Sequence, residues 1–241
     1  MRELLFYKKI TPIDKTRHRN LKIGEIKEYR FAAKTNAVPL ATVEFFETAK
    51  EYPIVFPRLA TNQLIPAALV GLRDSENLLI DSHGSWDARY IPAFVRRFPF
   101  VLAEAEDNQM LVCIDEDHPS IGSPKGYSLF DEQGEPTPFL ASNINFMKEF
   151  QTETLRTREF VDRLAALDLF RTVEARADLK EGGSFQLGGL SVIDETRYRE
   201  LDKDTVDELF RKGWLALIDA HLLSLGNLSR LVDRLSQARI R

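Results

Sequence analysis

The sequence predicts an α+β fold: mainly antiparallel sheet and hairpins packed with a few helices, and a helical C-terminal part. Short β-rich runs separated by turn residues fill the first half, to about residue 116. Apolar residues at helical spacing begin near Pro138. A hairpin pattern over 171–178 and 184–193 follows, and then helical patterns to the C-terminus. A chain of 241 residues can bury roughly 70–75% of its unfolded surface, so it needs no disulfide or metal to fold. We read residues 1–241 as a single domain, divisible into a sheet-rich part (1–116) and a helix–hairpin–helix part (137–241).

Residues 1–35 are basic, with Lys8, Lys9, Lys15, Arg17, Arg19, Lys22, Lys27 and Arg30. Two readings stay open here: a partner arm, or a strand laid on the core. Residues 42–49 carry a short helix pattern. The run Ile54-Val55-Phe56 lies between Pro53 and Pro57, which cannot donate to a ladder and so fix its ends. Residues 64–72 and 77–81 read as two further strands, with a turn at Ser75-Glu76-Asn77. His83-Gly84-Ser85 is a turn, and Asp87 can cap a helix over 88–98. Pro92 falls early in that segment and Pro99 stops it. Residues 100–106 and 109–115 make a hairpin around Asp107-Asn108. Residues 117–138, rich in Gly, Pro, Ser and acid, form a loop.

The helix from Pro138 carries Phe139, Ile144, Phe146, Met147, Phe150, Leu155, Phe160, Leu164 and Leu167 at its apolar positions and has room for one break. The second hairpin turns at Lys180-Glu181-Gly182-Gly183. Asp202 or Asp204 caps a helix to about Leu225, which Gly226-Asn227 ends in the left-handed conformation. A basic tail helix covers 228–241.

Composition excludes some functions. With 33 basic and 37 acidic residues the net charge is -4, so there is no electrostatic case for nucleic acid as a partner. The lone cysteine, Cys113, cannot form an internal disulfide and sits in the apolar run Met110-Leu111-Val112-Cys113-Ile114, as a buried thiol does. The N-terminal apolar run stops at Tyr7 and Lys8-Lys9 follow, which does not fit a secretory signal. No run approaches the ~20 apolar residues of a membrane span. The expectation is therefore a cytoplasmic protein with no membrane span. The 16 phenylalanines point to aromatic packing in the core or on one apolar surface.

His18, His83, His118 and His221 are far apart and lack ligand spacing, so neither a metal nor another cofactor is expected. Gly183-Ser184 continues as Phe185-Gln186, not as a nucleophile elbow. The densest chemistry lies in residues 81–100. Trp86, Asp87, Arg89, Tyr90, Arg96 and Arg97 are the candidate ligand- or partner-binding residues. On a helix, Arg89 and Arg96 would share a face and could clamp a carboxylate or phosphate, or stack on an aromatic group. The alternative is that they solvate the helix and pair with nearby carboxylates. His221 follows the apolar stripe of Phe210, Trp214, Leu217 and Leu225. It is either a buried histidine held by backbone or a general base. His221 and Asp87 are the catalytic candidates if the protein is an enzyme.

Four stretches carry a family resemblance. They are Glu51-Tyr52-Pro53-Ile54-Val55-Phe56 and Trp86-Asp87-Ala88-Arg89-Tyr90-Ile91-Pro92-Ala93-Phe94-Val95-Arg96-Arg97-Phe98-Pro99-Phe100, then Leu129-Phe130-Asp131-Glu132-Gln133-Gly134-Glu135-Pro136-Thr137 and Ala220-His221-Leu222-Leu223-Ser224-Leu225-Gly226-Asn227-Leu228. On these the chain resembles the bacterial SapC family. The family name implies an association with surface layers. Similar proteins are often encoded beside outer-membrane nutrient receptors, flavin-dependent halogenase-like proteins and cupin-like proteins. The resemblance carries over no catalytic residue, and His83-Gly84-Ser85 departs from the more acidic, lysine-containing turn of the family. It implies an accessory or binding protein that recognises a peptide, a protein partner or a small anionic ligand. Two alternatives are an enzyme or enzyme subunit in peptide or amino-acid modification, and a surface-layer structural protein.

Overall fold

A computed structural model describes residues 5–104, 110–178 and 184–238. In chain order the strands are β1 (Ile10–Pro12), β2 (Lys22–Ile23), β3 (Ala37–Pro39), β4 (Ile54–Pro57), β5 (Ala67–Leu69), β6 (Phe100–Glu104), β7 (Met110–Asp115), β8 (Tyr127–Ser128), β9 (Phe170–Asp178) and β10 (Ser184–Ile193). The helices are α1 (Phe45–Thr48), α2 (Ala93–Arg96), α3 (Pro138–Ala166), α4 (Glu195–Arg199), α5 (Lys203–Arg211), α6 (Trp214–Ser224) and α7 (Leu228–Ala238). All strand pairs are antiparallel, in three sheets ordered β1-β7-β6, β3-β5-β4-β10-β9 and β2-β8. The fold is α+β with a helical C-terminal part, as the sequence predicts.

The basic N-terminal segment is laid on the body of the protein. Thr11 pairs with Ile114 in β1–β7, and Ile23 pairs with Tyr127 in β2–β8. Strand β4 lies between β5 and β10, and its Ile54, Val55 and Phe56 are all buried. That position explains a continuous apolar run where a half-exposed strand would alternate. The β4–β10 pair, Phe56 with Ser191, ties the sheet-rich part to the helix–hairpin–helix part.

The described residues form two cores. The larger packs β4 and β5 against Phe160, Val161 and Leu164 of α3 and against Ile218, Leu231 and Leu235. The smaller gathers Ile23, Phe100, Ile114, Leu129, Phe130, Leu140 and Met147. Helix α3 serves both, since Leu140 and Met147 lie in one and Phe160 in the other. Its 29 residues span about 44 Å without the break that the sequence allowed. The Thr137 hydroxyl caps it by accepting from the Leu140 N–H.

Several boundaries differ from expectation. The helix expected over 88–98 is only Ala93–Arg96. Proline at position 92 disfavours helical backbone in Ile91, and Pro92 itself is extended at ψ 142°. The preceding N–H groups also have partners outside the segment: Asp87 N–H donates to the Leu79 carbonyl and Arg89 N–H to Glu51. Arg89 and Arg96 therefore share no helix face. The strand expected over 64–72 contracts to Ala67–Leu69, and 77–81 contributes only the bridge between Ile80 and Trp86. The C-terminal helix breaks earlier than expected, at Gly213 with φ +71°, a conformation glycine adopts without strain. At Gly226 the chain instead passes through a 3-10 turn into α7. Both predicted hairpin turns, Asp107-Asn108 and Lys180-Glu181-Gly182-Gly183, lie outside the described residues.

Among the described residues, the stretch Trp214–Gln237 is long and apolar enough to cross a membrane, which the sequence reading did not anticipate. In this fold it is bent into α6 and α7, and Ile218, His221, Leu231 and Leu235 from it are buried in the protein. Cys113 is buried in β7, and burial pushes its thiol pKa up.

Candidate functional site

The candidate segment is a braced wall. Trp86 is buried and its indole N–H donates to the Tyr52 hydroxyl at 2.9 Å. The Tyr52 hydroxyl in turn donates to the Tyr90 carbonyl. At the other end of Tyr90, the phenol donates to Glu44 Oε1 at 2.7 Å. Glu44 is only 4% exposed. It ends the 3-10 turn Thr42–Glu44 and also accepts the Ala41 N–H at 2.8 Å and the Ala93 N–H at 2.7 Å. A carboxylate taken from water needs such donors. Burial, and then the Glu44 carboxylate, push the Tyr90 phenol pKa up. Tyr90 is thus fixed through its carbonyl and its hydroxyl, and its ring separates two clefts.

The first cleft, about 620 Å³, lies between the wall and α7. Its acids all have partners. Glu47 pairs with Lys50 at 2.5 Å, Asp87 pairs with Arg234 at 2.6 Å, and Glu51 accepts the Arg89 backbone N–H at 2.9 Å. Arg230 donates one N–H to the Lys50 carbonyl at 3.1 Å. Arg89 lines the same cleft, and its guanidinium has no hydrogen-bond or carboxylate partner among the described residues. With four cations against three anions the cleft carries a net charge of +1: among the described residues Arg89 and Arg230 have no ion-pair partner, and Glu51 is held by a backbone N–H alone.

The second cleft, about 380 Å³, lies between the wall and α3. Arg96 spans its floor, 5.2 Å from the Phe146 ring centre and 5.9 Å from that of Tyr90. Its Nε donates to the Ile91 carbonyl at 2.9 Å. Phe150 and Glu149 complete the α3 side, and Val43, 65% exposed, forms an apolar lip. This cleft suits an apolar or aromatic group, whereas the first suits an anion.

The sequence candidates therefore divide. Asp87, Arg89 and Tyr90 line the first cleft; Tyr90 and Arg96 line the second. Trp86 is buried and Arg97 half-buried behind the wall, and neither lines either cleft. The Arg97 guanidinium lies 4.0 Å from the Phe94 ring centre and 5.0 Å from that of Phe150, with its Nε enclosed and unpartnered among the described residues. Burial lowers its pKa, and burial lifts that of neighbouring Tyr7 to about 12.

His221 is fully enclosed. Its Nε2 accepts the Ile193 N–H at 3.0 Å and its ring meets Phe56 at 5.1 Å. Burial pulls its pKa down to about 3. It lines neither cleft, and its acceptor nitrogen is occupied by backbone. Of the two sequence readings, the geometry is that of a core histidine and not of a base that meets a substrate. Asp87, its suggested partner, is held by Arg234.

Glu44, Glu51 and Arg230 were not singled out by sequence reasoning. Glu44 sits in an apolar context, Thr42-Val43-Glu44-Phe45-Phe46, which is a signal for an inward-facing carboxylate. Arg230 has no local signal. Among the described residues, no group of three or more His, Cys, Asp or Glu side chains is arranged to hold a metal ion.

A family model described as SapC matches residues 13–231. No curated protein and no solved structure matches the chain.

Proposed function

The chain belongs to the SapC family, and from its two clefts we propose that it is a binding protein that captures an anionic group of a peptide or small molecule. Arg89 and Arg230 receive the anion. Tyr90, Arg96 and Phe146 receive the flanking apolar or aromatic part. One observation carries this reading: Arg89, whose guanidinium has no partner among the described residues, lines a cleft in which each carboxylate is already engaged. A guanidinium offers a planar fork of donors that matches a carboxylate or phosphate. An acid–base reading centred on His221 and Asp87 lacks comparable support, because the imidazole is enclosed and the carboxylate is ion-paired.

The test is binding of peptides that carry a free C-terminal carboxylate, set against the same peptides as carboxamides. Carboxylates should bind better by about tenfold or more, the worth of a charge-assisted hydrogen bond. Arg89→Ala and Arg230→Ala should each remove that preference while the melting temperature stays nearly unchanged. Equal binding of both peptide forms would defeat the anion reading, and a large fall in melting temperature would assign both arginines to the scaffold.

A further inference from the structure

A third cleft, about 800 Å³, lies apart from the wall, between residues 24–31 and the loop 118–125. We propose that it is a second, independent site and that it binds a phosphate monoester, because four hydrogen-bond donors line it and none has an acceptor among the described residues. They belong to the lining residues His118, Ser123, Lys8 and Lys125: Nε2, Oγ and the two Nζ atoms.

The tautomer of His118 follows from its contacts. The Ser120 backbone N–H donates to Nδ1 at 3.2 Å, so Nδ1 is an acceptor and also takes the Ser120 hydroxyl at 2.6 Å. Nε2 then carries the hydrogen. The ring is 8% exposed and is held edge-on by Phe31 at 5.7 Å and Phe98 at 4.8 Å. A buried ring so fixed, with one N–H lacking a partner, is a preorganised donor. Burial also lowers the His118 pKa, which keeps the ring neutral and the donor at Nε2.

The acids around the cleft do not compete for these donors. Glu25 pairs with Lys27 at 3.3 Å and Glu28 with Arg30 at 3.0 Å. Asp115 accepts the backbone N–H groups of Lys8, Lys9 and Asp117. The loop is tied to the facing segment, where the Gly24 N–H donates to the Ser120 carbonyl at 2.8 Å and a Cβ on Gly24 would meet Ser123 at 3.0 Å. Two uncompensated ammonium groups with two neutral donors match a doubly charged group that has three terminal oxygens. A singly charged carboxylate would leave donors unused. The volume exceeds one phosphate and admits the organic part of a small phosphorylated molecule.

The experiment is calorimetric titration of the full chain with inorganic phosphate, phenyl phosphate and phenyl sulfate. Phenyl phosphate should bind saturably, and more tightly than the singly charged phenyl sulfate by about fivefold or more. Lys125→Ala, Lys8→Ala and Ser123→Ala should each weaken phosphate binding, the two lysine variants by roughly tenfold, one charge-assisted contact. His118→Gln serves as a further variant, with its fold verified by circular dichroism. Absence of saturation by either phosphate at concentrations where millimolar affinity would be seen overturns the proposal. So does binding that Lys125→Ala leaves intact but Arg89→Ala abolishes, which would assign the ion to the first cleft.

Discussion

Glu44 and His221 are both closed off from solvent, yet their surroundings use a buried polar side chain in opposite ways. Around Glu44, three donors from Ala41, Tyr90 and Ala93 converge on one carboxylate. The elements that supply them are a 3-10 turn, an irregular segment and the start of α2, and they leave open clefts on either side of Tyr90. Around His221, helix α6 packs on β4 and β10, one nitrogen takes the Ile193 N–H, and the other is enclosed without a partner among the described residues. Regular elements pack closely there, and His221 lines none of the three clefts. A polar residue at a junction of irregular segments can organise a surface, whereas one between a helix and a sheet stabilises a core.

The largest expected effect comes from breaking the Glu44 junction. Glu44→Ala leaves the Ala41 and Ala93 N–H groups and the Tyr90 hydroxyl without their acceptor. Unpaired buried donors cost about 1–3 kcal/mol each, and partial relaxation brings the total to about 3–5 kcal/mol by urea denaturation. Glu44→Gln keeps one acceptor oxygen and should lose roughly half as much. Anion binding should fall in both variants because Tyr90, next to Arg89 in the first cleft, loses its brace. If Glu44→Ala costs under about 1 kcal/mol, the residue does not organise this junction.

His221 gives the next largest effect, and its sign can be worked out. Its folded pKa is near 3, against 6.5 for the unfolded side chain. Between those values the unfolded chain holds a proton that the folded chain does not, so stability falls as pH falls below 6.5. Above 6.5 this group contributes no pH dependence. From pH 7.5 to pH 5 the loss should be about 1–2 kcal/mol, at no more than about 1.4 kcal/mol per pH unit. His118, lowered in the same direction, adds to it. Glu116 is held near 2: burial opposes its ionisation, but hydrogen bonds from Lys9 and His18 and the charge of Arg17 outweigh that. Its share is lost only as pH falls from about 4.5 toward 2. His221→Gln, which keeps an acceptor and does not titrate, should therefore have a smaller drop between pH 7.5 and pH 5 than the parent. Parallel urea-midpoint curves for the two proteins would show that His221 is not a cryptic protonation site.

The sequence made the regular elements legible and the clefts illegible, for a physical reason. Apolar residues at helical spacing after Pro138 mark α3, and the flanking patterns mark β9 and β10, because those signals lie within one element. At residues 88–98 the helical pattern misleads: Pro92 and hydrogen bonds to Leu79 and Glu51 override it. At the C-terminal break, two glycines were available, and only tertiary packing determined that Gly213 would take the left-handed conformation. The first cleft draws on residues 47–51, 87–90 and 230–234, and the second on 41–44, 90–96 and 146–153. No local spacing encodes those meetings. The sequence did locate the dense segment between Trp86 and Arg97, but it could not separate residues that face a cleft from those that prop the wall.

Tyr90→Phe gives the smallest effect and makes the sharpest distinction, because it isolates one donor in the Glu44 junction. The phenol hydroxyl disappears, while the Ala41 and Ala93 N–H groups still satisfy the carboxylate. The Tyr90 carbonyl still accepts from Tyr52, so the backbone of the wall stays fixed. The ring remains between the two clefts and still faces the Arg96 guanidinium. The cost should be about 0.5–1.5 kcal/mol, that of one hydrogen bond, with carboxylate binding by Arg89 nearly unchanged. A loss as large as that of Glu44→Ala would mean that the hydroxyl alone holds the junction. The three donors would then not act as a set, and the contrast with the single backbone contact of His221 would vanish.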